Sequence, residues 1–370
     1  MRRAVAVIVL ILGALALGRL AAQPQNGKFQ LHFMNVDQGD GAILISPLGE
    51  TVLFDEGVRN VCDLPVSYLQ QLGVTKIDYH VTSHYHDDHI GCAQEIFGQF
   101  PLQKTAFDRG DNGTTKSFEN YKNAVSKGGK RKTAVVGNTL TLDAGSAAPV
   151  TIEFKVVNGN GFAGPNENDR SVVALVHFGA FDALIGGDLS GENTSSYKDV
   201  ETPLASIFSQ VEVYKVHHHG SSHSSNTTFL AAIKPLLGII SAGVNSKHGH
   251  PTKEAMDRLH AIGVHTYWTT VGGGVAPTPG LDVVGGNIFL EMAPGANTFT
   301  VTHSGNKVDT FSVWGATGGP SGGPGAFSWS KLSNVYHHSA CSFVHNISPA
   351  NLVQGAAPPA GKTLHVGCPK

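Results

Sequence analysis

The segment Ser83-His84-Tyr85-His86-Asp87-Asp88-His89-Ile90-Gly91 constrains this chain most, because it follows directly on an apolar run at residues 77–82. Two imidazoles two residues apart at the end of a strand project to the same side. The turn that follows can bring an Asp and a third His back to a neighbouring point. The segment therefore needs a sheet edge to hold it, and in return it offers donors for two metal ions a few ångströms apart. Neutral imidazole suits Zn²⁺, and the carboxylates compensate charge and tolerate Mn²⁺.

The rest of the sequence supplies such a sheet. With 41% apolar and 15% charged residues a large core is available, and 45 Gly in 370 residues favour many turns between strands over a helix bundle. Short β-like runs bounded by Gly, Pro or Asp are expected at residues 29–36, 42–46, 51–54, 77–82, 150–157, 171–178, 183–185, 211–216 and 237–241. Helices are expected at residues 64–72, 117–127, 227–233 and 252–261. Strands mixed with helices predict a layered α/β architecture.

The ends of the chain read differently. Arg2 and Arg3 precede an apolar run over residues 4–17 and a small-residue stretch to Ala22, the order of a secretory signal, so residues 1–22 are expected to be a signal peptide. Leu20 departs from a small-residue cleavage site, which keeps an N-terminally membrane-anchored form as the alternative. No other integral membrane segment is expected, and the location is secreted or periplasmic. Residues 28–313 form the main domain, 314–326 a Gly/Pro-rich linker, and 327–370 a small Cys- and His-containing module. Four cysteines in an exported chain are disulfide candidates, and their order suggests the local pairs Cys62 with Cys92 and Cys341 with Cys368.

Charge excludes one class of partner at long range. The formal balance is −2, and loss of Arg2, Arg3 and Arg19 with the signal leaves 23 basic against 28 acidic side chains, so no global field attracts nucleic acid. An anionic substrate must be held locally. Lys116, Lys122, Lys127, Lys130, Arg131 and Lys132 form one local basic run that could track a phosphate backbone, or simply be a solvated surface.

The His-x-His-x-Asp-His segment resembles the hallmark of the metallo-β-lactamase superfamily. Leu53-Phe54-Asp55-Glu56-Gly57 ahead of it, Gly186-Gly187-Asp188 after an apolar run, and a His after residues 211–216 follow that family's order. Asn35-Val36-Asp37-Gln38-Gly39-Asp40-Gly41, Lys215-Val216-His217-His218-His219-Gly220-Ser221 and Gly249-His250-Pro251 resemble more narrowly the extracytoplasmic hydrolase domain of DNA-uptake competence proteins, over residues 29–270. The resemblance implies a four-layer αββα sandwich. It implies two divalent ions held by His84, His86, Asp88, His89, Asp188 and His218, with Asp188 bridging and His219 close behind. Many family members supply a further His to the first ion, yet none lies between His89 and His177, and His177 reads as a strand residue with a structural role. The first site is therefore expected to be weak, with His84, His86 and Asp188 as its donors and Asn168, Asp169 or water in reserve. Cys92 stands where that family usually has Gly, which supports its pairing with Cys62. The tail, with His337, His338, Cys341, His345, His365 and Cys368, is similar to a small metal-binding module related to the Ada repair protein, but two of that module's four Cys are missing, so a disulfide is expected over zinc.

Two such ions acidify water and stabilise developing negative charge, so a metal-dependent hydrolase is the expected class. Asp88 and His250 are the catalytic candidates: His250 would protonate a leaving group or bind phosphate, or else act as a structural residue before a helix. Asp40 and Asp55 are expected to orient the ligating imidazoles, and Asp87 to face solvent. The substrate expected first is DNA or another phosphodiester. The alternatives are hydrolysis of a β-lactam, lactone or thioester, and a non-catalytic metal-dependent protein that binds envelope or nucleic acid.

Overall fold

The computed structural model of the chain describes residues 25–244 and 248–314, and 327–332, 334–338, 352–355 and 361–364 of the C-terminal region. The chain opens a first sheet with β1 (Phe29–Phe33), β2 (Gly41–Ile45), β3 (Thr51–Glu56), β4 (Ile77–Val81), β5 (Leu102–Asp108) and β6 (Arg131–Thr133). It then builds a second sheet from β7 (Thr139–Leu142), β8 (Val150–Val156), β9 (Val173–Phe178), β10 (Phe181–Gly186), β11 (Val213–Lys215), β12 (Leu237–Ile240), β13 (His265–Trp268) and β14 (Asp282–Val284). β15 (Ile288–Met292), β16 (Thr298–His303) and β17 (Lys307–Ser312) return to the first sheet, which has nine strands in the order β17-β16-β15-β1-β2-β3-β4-β5-β6. The second sheet runs in sequence order from β14 to β7.

Alternation of side chains across these strands produces the layers. Phe29, Leu31 and Phe33 of β1 point between the sheets and meet Ile152, Phe154, Phe178 and Phe181, with the Phe29 and Phe178 rings stacked at 5.1 Å. The opposite faces are apolar too, as strands covered on both sides require. Ile43, Ile45, Leu53 and Ile77 bury against α1 (Asp63–Gln71), α3 (Ala93–Gln99) and α4 (Lys116–Val125) through Leu69, Ile96, Phe118 and Tyr121. Leu175, Leu184, Tyr214 and Val216 bury against α6 (Thr227–Ile233) and α7 (Lys253–Ala261) through Phe229, Leu230, Ile233, Met256 and Leu259. Helix, sheet, sheet and helix form the expected four-layer αββα sandwich. Three of the later helices start where the sequence offers a cap: Thr115, Asn226 and Thr252 accept backbone N–H bonds at the starts of α4, α6 and α7.

The expected strands are all present, mostly a few residues shorter. Residues 288–312 carry none of the motifs, yet β15 pairs with β1 and completes the first sheet. The C-terminal region contributes a small sheet of β18 (Phe327–Ser330), β19 (Val335–His338), β20 (Leu352–Gly355) and β21 (Thr363–Leu364), in the order β20-β18-β19-β21. The signal segment 1–22, linker residues 315–326, Cys341 and Cys368 lie outside the described residues. Among the described residues no helix is long and apolar enough to cross a membrane.

Two features tie the domain together and each makes a prediction. Cys62 and Cys92 form the expected disulfide, closing a 30-residue separation between the start of α1 and the start of α3. By loop entropy this contributes roughly 3–4 kcal/mol, so urea denaturation under reducing conditions is expected to show that loss relative to oxidising conditions. At the other end, Trp314 docks on the second sheet: its backbone N–H donates to Glu212 at 2.7 Å and its indole N–H to the Val211 carbonyl at 3.1 Å. Burial pushes the Glu212 carboxyl up from 4.5 to about 7, against the bonds it accepts from Trp314 and Asp182. A carboxyl that holds its proton more tightly when folded contributes stability below pH 4.5 that is lost as the pH rises through about 7. Thermal denaturation across that window should show this decline in the native chain and not in Glu212→Gln.

Candidate metal centre

The site lies where both sheets end on the same edge. β4 runs out at Val81, and the hallmark segment turns into the short helix α2 (Asp87–Ile90). β10 ends at Gly186, one residue before Gly187-Asp188, and β11 leads into the turn His217–Gly220. Gly187 is required there, since a Cβ would stand 2.4 Å from the Ser83 hydroxyl. Gly39, at φ +130°, passes so close to α2 that a Cβ would stand 2.1 Å from the Asp88 carbonyl oxygen. The next residue, Asp40, donates its N–H to that same carbonyl at 3.1 Å, so the loop after β1 braces the hallmark helix.

His218 and His219 both take left-handed backbone, φ 52° and 56°, and this sharp turn aims two adjacent imidazoles into the same cavity. Such conformations cost of order 1–3 kcal/mol each and persist only where neighbours enforce them. The enforcing groups are the Gly187 carbonyl, which accepts from His218 N at 3.1 Å, and buried Glu201 at the start of α5 (Glu201–Leu204). Glu201 accepts from His217 Nδ1, Ser225 N and Asn226 N at 2.7–2.8 Å. His217 itself turns away from the site and stacks on Phe229.

Two groups of donors converge on the two oxygens of Asp188. Oδ1 stands 3.3 Å from His89 Nε2 and 3.4 Å from His219 Nε2, and Asp88 Oδ2 lies 3.3 Å from the same His219 nitrogen. Oδ2 stands 3.6 Å from His218 Nε2 and 3.9 Å from His84 Nε2, which in turn lies 3.0 Å from His86 Nδ1. The second nitrogens are anchored behind. His89 Nδ1 donates to Asp55 Oδ2 at 2.8 Å, and His219 Nδ1 donates to the Ser241 carbonyl at 2.8 Å and lies 3.2 Å from Asp40 Oδ1. Asp55 also takes the Ser83 N–H and hydroxyl at 2.7 Å, so Ser83 Oγ is left to accept from His84 Nδ1 at 3.1 Å. With Nδ1 of His84, His89 and His219 engaged as donors, Nε2 of these three rings presents its lone pair to the centre.

This arrangement fits metal ions better than it fits itself. His89 Nε2, His219 Nε2 and Asp188 Oδ1 are buried without a hydrogen-bond partner although they face one another, a costly state for polar groups unless a cation takes them up. Asp40, Asp55, Asp88 and Asp188 bring four carboxylates to these rings, and the buried Lys215 ammonium stands 2.8 Å from one of them, Asp40 Oδ1. Burial opposes charge on His89, but Asp188, Asp88 and Asp55 outweigh it and raise its pKa well above the ordinary range; Asp188 and Asp40 do the same to His219. Burial and the neighbouring His89 instead hold His84 well below. Burial opposes charge on Asp188 as well, and the imidazoles of His219, His218 and His89 still hold its carboxyl well below the usual range. The imidazoles drawn toward protonation report a negative field that a divalent ion would also feel.

Several expected residues take unexpected places. His218 Nε2 faces Asp188 Oδ2 on the side of His84, and His219 Nε2 faces Oδ1 beside Asp88 and His89, so one left-handed turn reaches both oxygens. Asn168 adds an amide 3.3 Å from His218 Nε2, whereas Asp169 points away and accepts from Gly164 N and Lys198 N. Asp87 faces solvent but does not stand free: it is half-buried, paired with Arg59 at 3.0 Å and bonded by the Ser117 hydroxyl. His177 pairs with Asp182 on the second sheet, away from the site. His250 lies beside His218, ring centroids 5.2 Å apart, with Nδ1 buried and unpartnered; burial, then His219 and His218, lower its pKa to about 3. The basic run is largely spent on structure, since Arg131 pairs with Asp108, Lys116 with Glu119, and Lys130 bonds the Leu102 carbonyl. Sequence reasoning missed Lys215 and Glu201. A Lys inside the apolar run 211–216 was the one visible signal for the first, and the second has none.

A hallmark loop at the end of β4, an Asp at the end of β10 and a four-layer αββα sandwich occur together here. The chain has the metallo-β-lactamase fold. No family model matches it. Curated relatives include ComE operon protein 3 of Bacillus subtilis, 24% identical over 54% of this chain and 24% of that one. Recombination protein 2 of Haemophilus influenzae is 25% identical over 68% of this chain and 29% of its own length, and competence protein ComA of Neisseria gonorrhoeae 25% over 64% and 30%. The chain thus spans less than a third of each of these relatives. Among solved structures, the metallo-β-lactamase fold protein YhfI from Bacillus subtilis is 14% identical, covers 67% of this chain and 99% of its own, and has a TM-score of 0.40. A subclass B3 metallo-β-lactamase from a soil metagenome library, MEM-A1, is 11% identical over 52% and 77%, with a TM-score of 0.36. The donor cluster is a candidate metal centre.

Proposed function

We propose that the chain is an exported two-metal phosphodiesterase acting on nucleic acid. The observation that carries this reading is the division of donors about Asp188. In this reading His84, His86, His218 and Asp188 would hold one ion, Zn²⁺ with Mn²⁺ as the alternative, and Asp88, His89, His219 and Asp188 would hold the other. A bound pair of divalent ions supplies Lewis-acid charge to both the attacking and the leaving oxygen of an in-line displacement and acidifies water. The protein does the rest. Asp55, Asp40 and the Ser241 carbonyl fix the rings of His89 and His219, so little reorganisation accompanies the reaction. Asp88, whose side chain is 27% exposed between closed neighbours, stays ionised at the mouth of the site, where it would orient water. His250 would donate an imidazole N–H to a phosphoryl oxygen.

Similarity to competence proteins supports a nucleic-acid substrate over a lactam or a thioester. The test is to incubate the Zn²⁺-loaded and Mn²⁺-loaded protein with single-stranded DNA, bis(p-nitrophenyl) phosphate, nitrocefin and an acyl-lactone. Metal-dependent cleavage of the two diesters is expected. Turnover of nitrocefin or the lactone with neither diester cleaved would replace this reading.

A further inference from the structure

The loop that carries Asp188 also carries Tyr197, and nothing in the metal centre requires a tyrosine there. Its ring stands edge-on to His218 with centroids 5.9 Å apart, and it is stacked on the ring of His223 at 4.7 Å and 29°. The stack is fixed from several sides. Tyr197 N donates to Thr194 Oγ1 at 3.0 Å, and Thr194 N donates to the Tyr197 carbonyl at 3.0 Å, closing a tight turn. His223 N donates to Ser221 Oγ at 3.3 Å, and its Nδ1 is held 2.8 Å from Glu192 Oε2. Both rings remain partly open, with 37% of the His223 side chain exposed. A flat, pre-ordered pair of rings therefore leads outward from the candidate ligand His218.

We infer that Tyr197 and His223 form a stacking platform for an unpaired nucleic-acid base next to the scissile phosphate, so that the substrate is a single strand. The inference rests on the phosphodiesterase reading and names the substrate form. Charge separates the two ends of this cleft. Glu192 stands at the outer rim of the platform and repels a phosphate, whereas the metal centre attracts one; a neutral flat group suits the first place and a phosphoryl group the second. Every base has a π-face, so a platform of this kind is tolerant of sequence. A paired base inside a duplex cannot offer that face.

Binding tests this without relying on turnover. The Zn²⁺-loaded protein is titrated by fluorescence anisotropy with a labelled oligothymidylate of about ten residues and with an abasic strand of equal phosphate number, both with hydrolysis-resistant linkages. The native protein is expected to prefer the base-bearing strand by at least tenfold. Tyr197→Ala should bind the two strands equally with its affinity for the abasic strand unchanged, and Tyr197→Phe should keep the preference. Equal binding of both strands by the native protein, or a preference that survives Tyr197→Ala, would overturn the platform. A retained preference in a protein that cleaves no diester would instead overturn the phosphodiesterase reading.

Discussion

Replacing Asp188 by Asn is expected to lower metal-dependent diester hydrolysis by about a thousandfold or more and to reduce bound zinc by at least one equivalent per chain. The size follows from what the carboxylate does. It presents one oxygen to His89 and His219 and the other to His84 and His218, so it is the one charged group common to both donor sets. An amide keeps the shape but loses the charge and replaces one oxygen by a nitrogen donor. Several kcal/mol of charge stabilisation disappear, and about 4 kcal/mol is a factor of a thousand in rate. The backbone should hold, because Asp188 N donates to the Ser171 hydroxyl at 3.0 Å whatever the side chain is. The measurement pairs elemental analysis with kcat/KM on bis(p-nitrophenyl) phosphate. Two zinc equivalents kept, with a rate within tenfold of the native protein, would remove Asp188 from its shared role.

The second large effect lies outside the donor set. Glu201→Ala is expected to destabilise the fold by about 3–5 kcal/mol, because it leaves three buried donors, His217 Nδ1, Ser225 N and Asn226 N, without their acceptor. The same change frees the turn that holds His218 and His219 in left-handed backbone, so zinc affinity should fall by roughly 10–100-fold. Urea denaturation and zinc titration read the two effects separately. A loss below about 1 kcal/mol with unchanged zinc affinity would show that the turn is held by other groups.

These residues also mark how far the sequence could be read. Donors that are contiguous and sit at a strand end are visible, because an apolar run followed by His84, His86, Asp88 and His89 has one simple geometry. Asp188 is legible through the resemblance, which gives the bridging role to the Asp of Gly186-Gly187-Asp188 after an apolar run. The division of labour between His218 and His219 is not, since it depends on two successive positive φ angles that ordinary residues avoid and that a neighbouring segment imposes. Glu201, which helps impose them, lies 16 positions before His217 in sequence and belongs to no motif. A layered α/β architecture followed from strands mixed with helices and the four layers from the resemblance, whereas β15–β17 were hidden because β15 pairs with β1 across most of the chain and β16 and β17 follow on it. Asp87 keeps its expected solvent-facing position, yet nothing local announces Arg59 or Ser117 as its partners.

The most direct measurement of the central claim is a zinc titration of the metal-free protein, following bound metal by elemental analysis and diester turnover in the same samples. Two equivalents bound per chain are predicted, with turnover of bis(p-nitrophenyl) phosphate rising mainly as the second site fills. Saturation at one equivalent, or no metal-dependent turnover with both sites filled, would contradict a shared two-metal centre for phosphodiester hydrolysis.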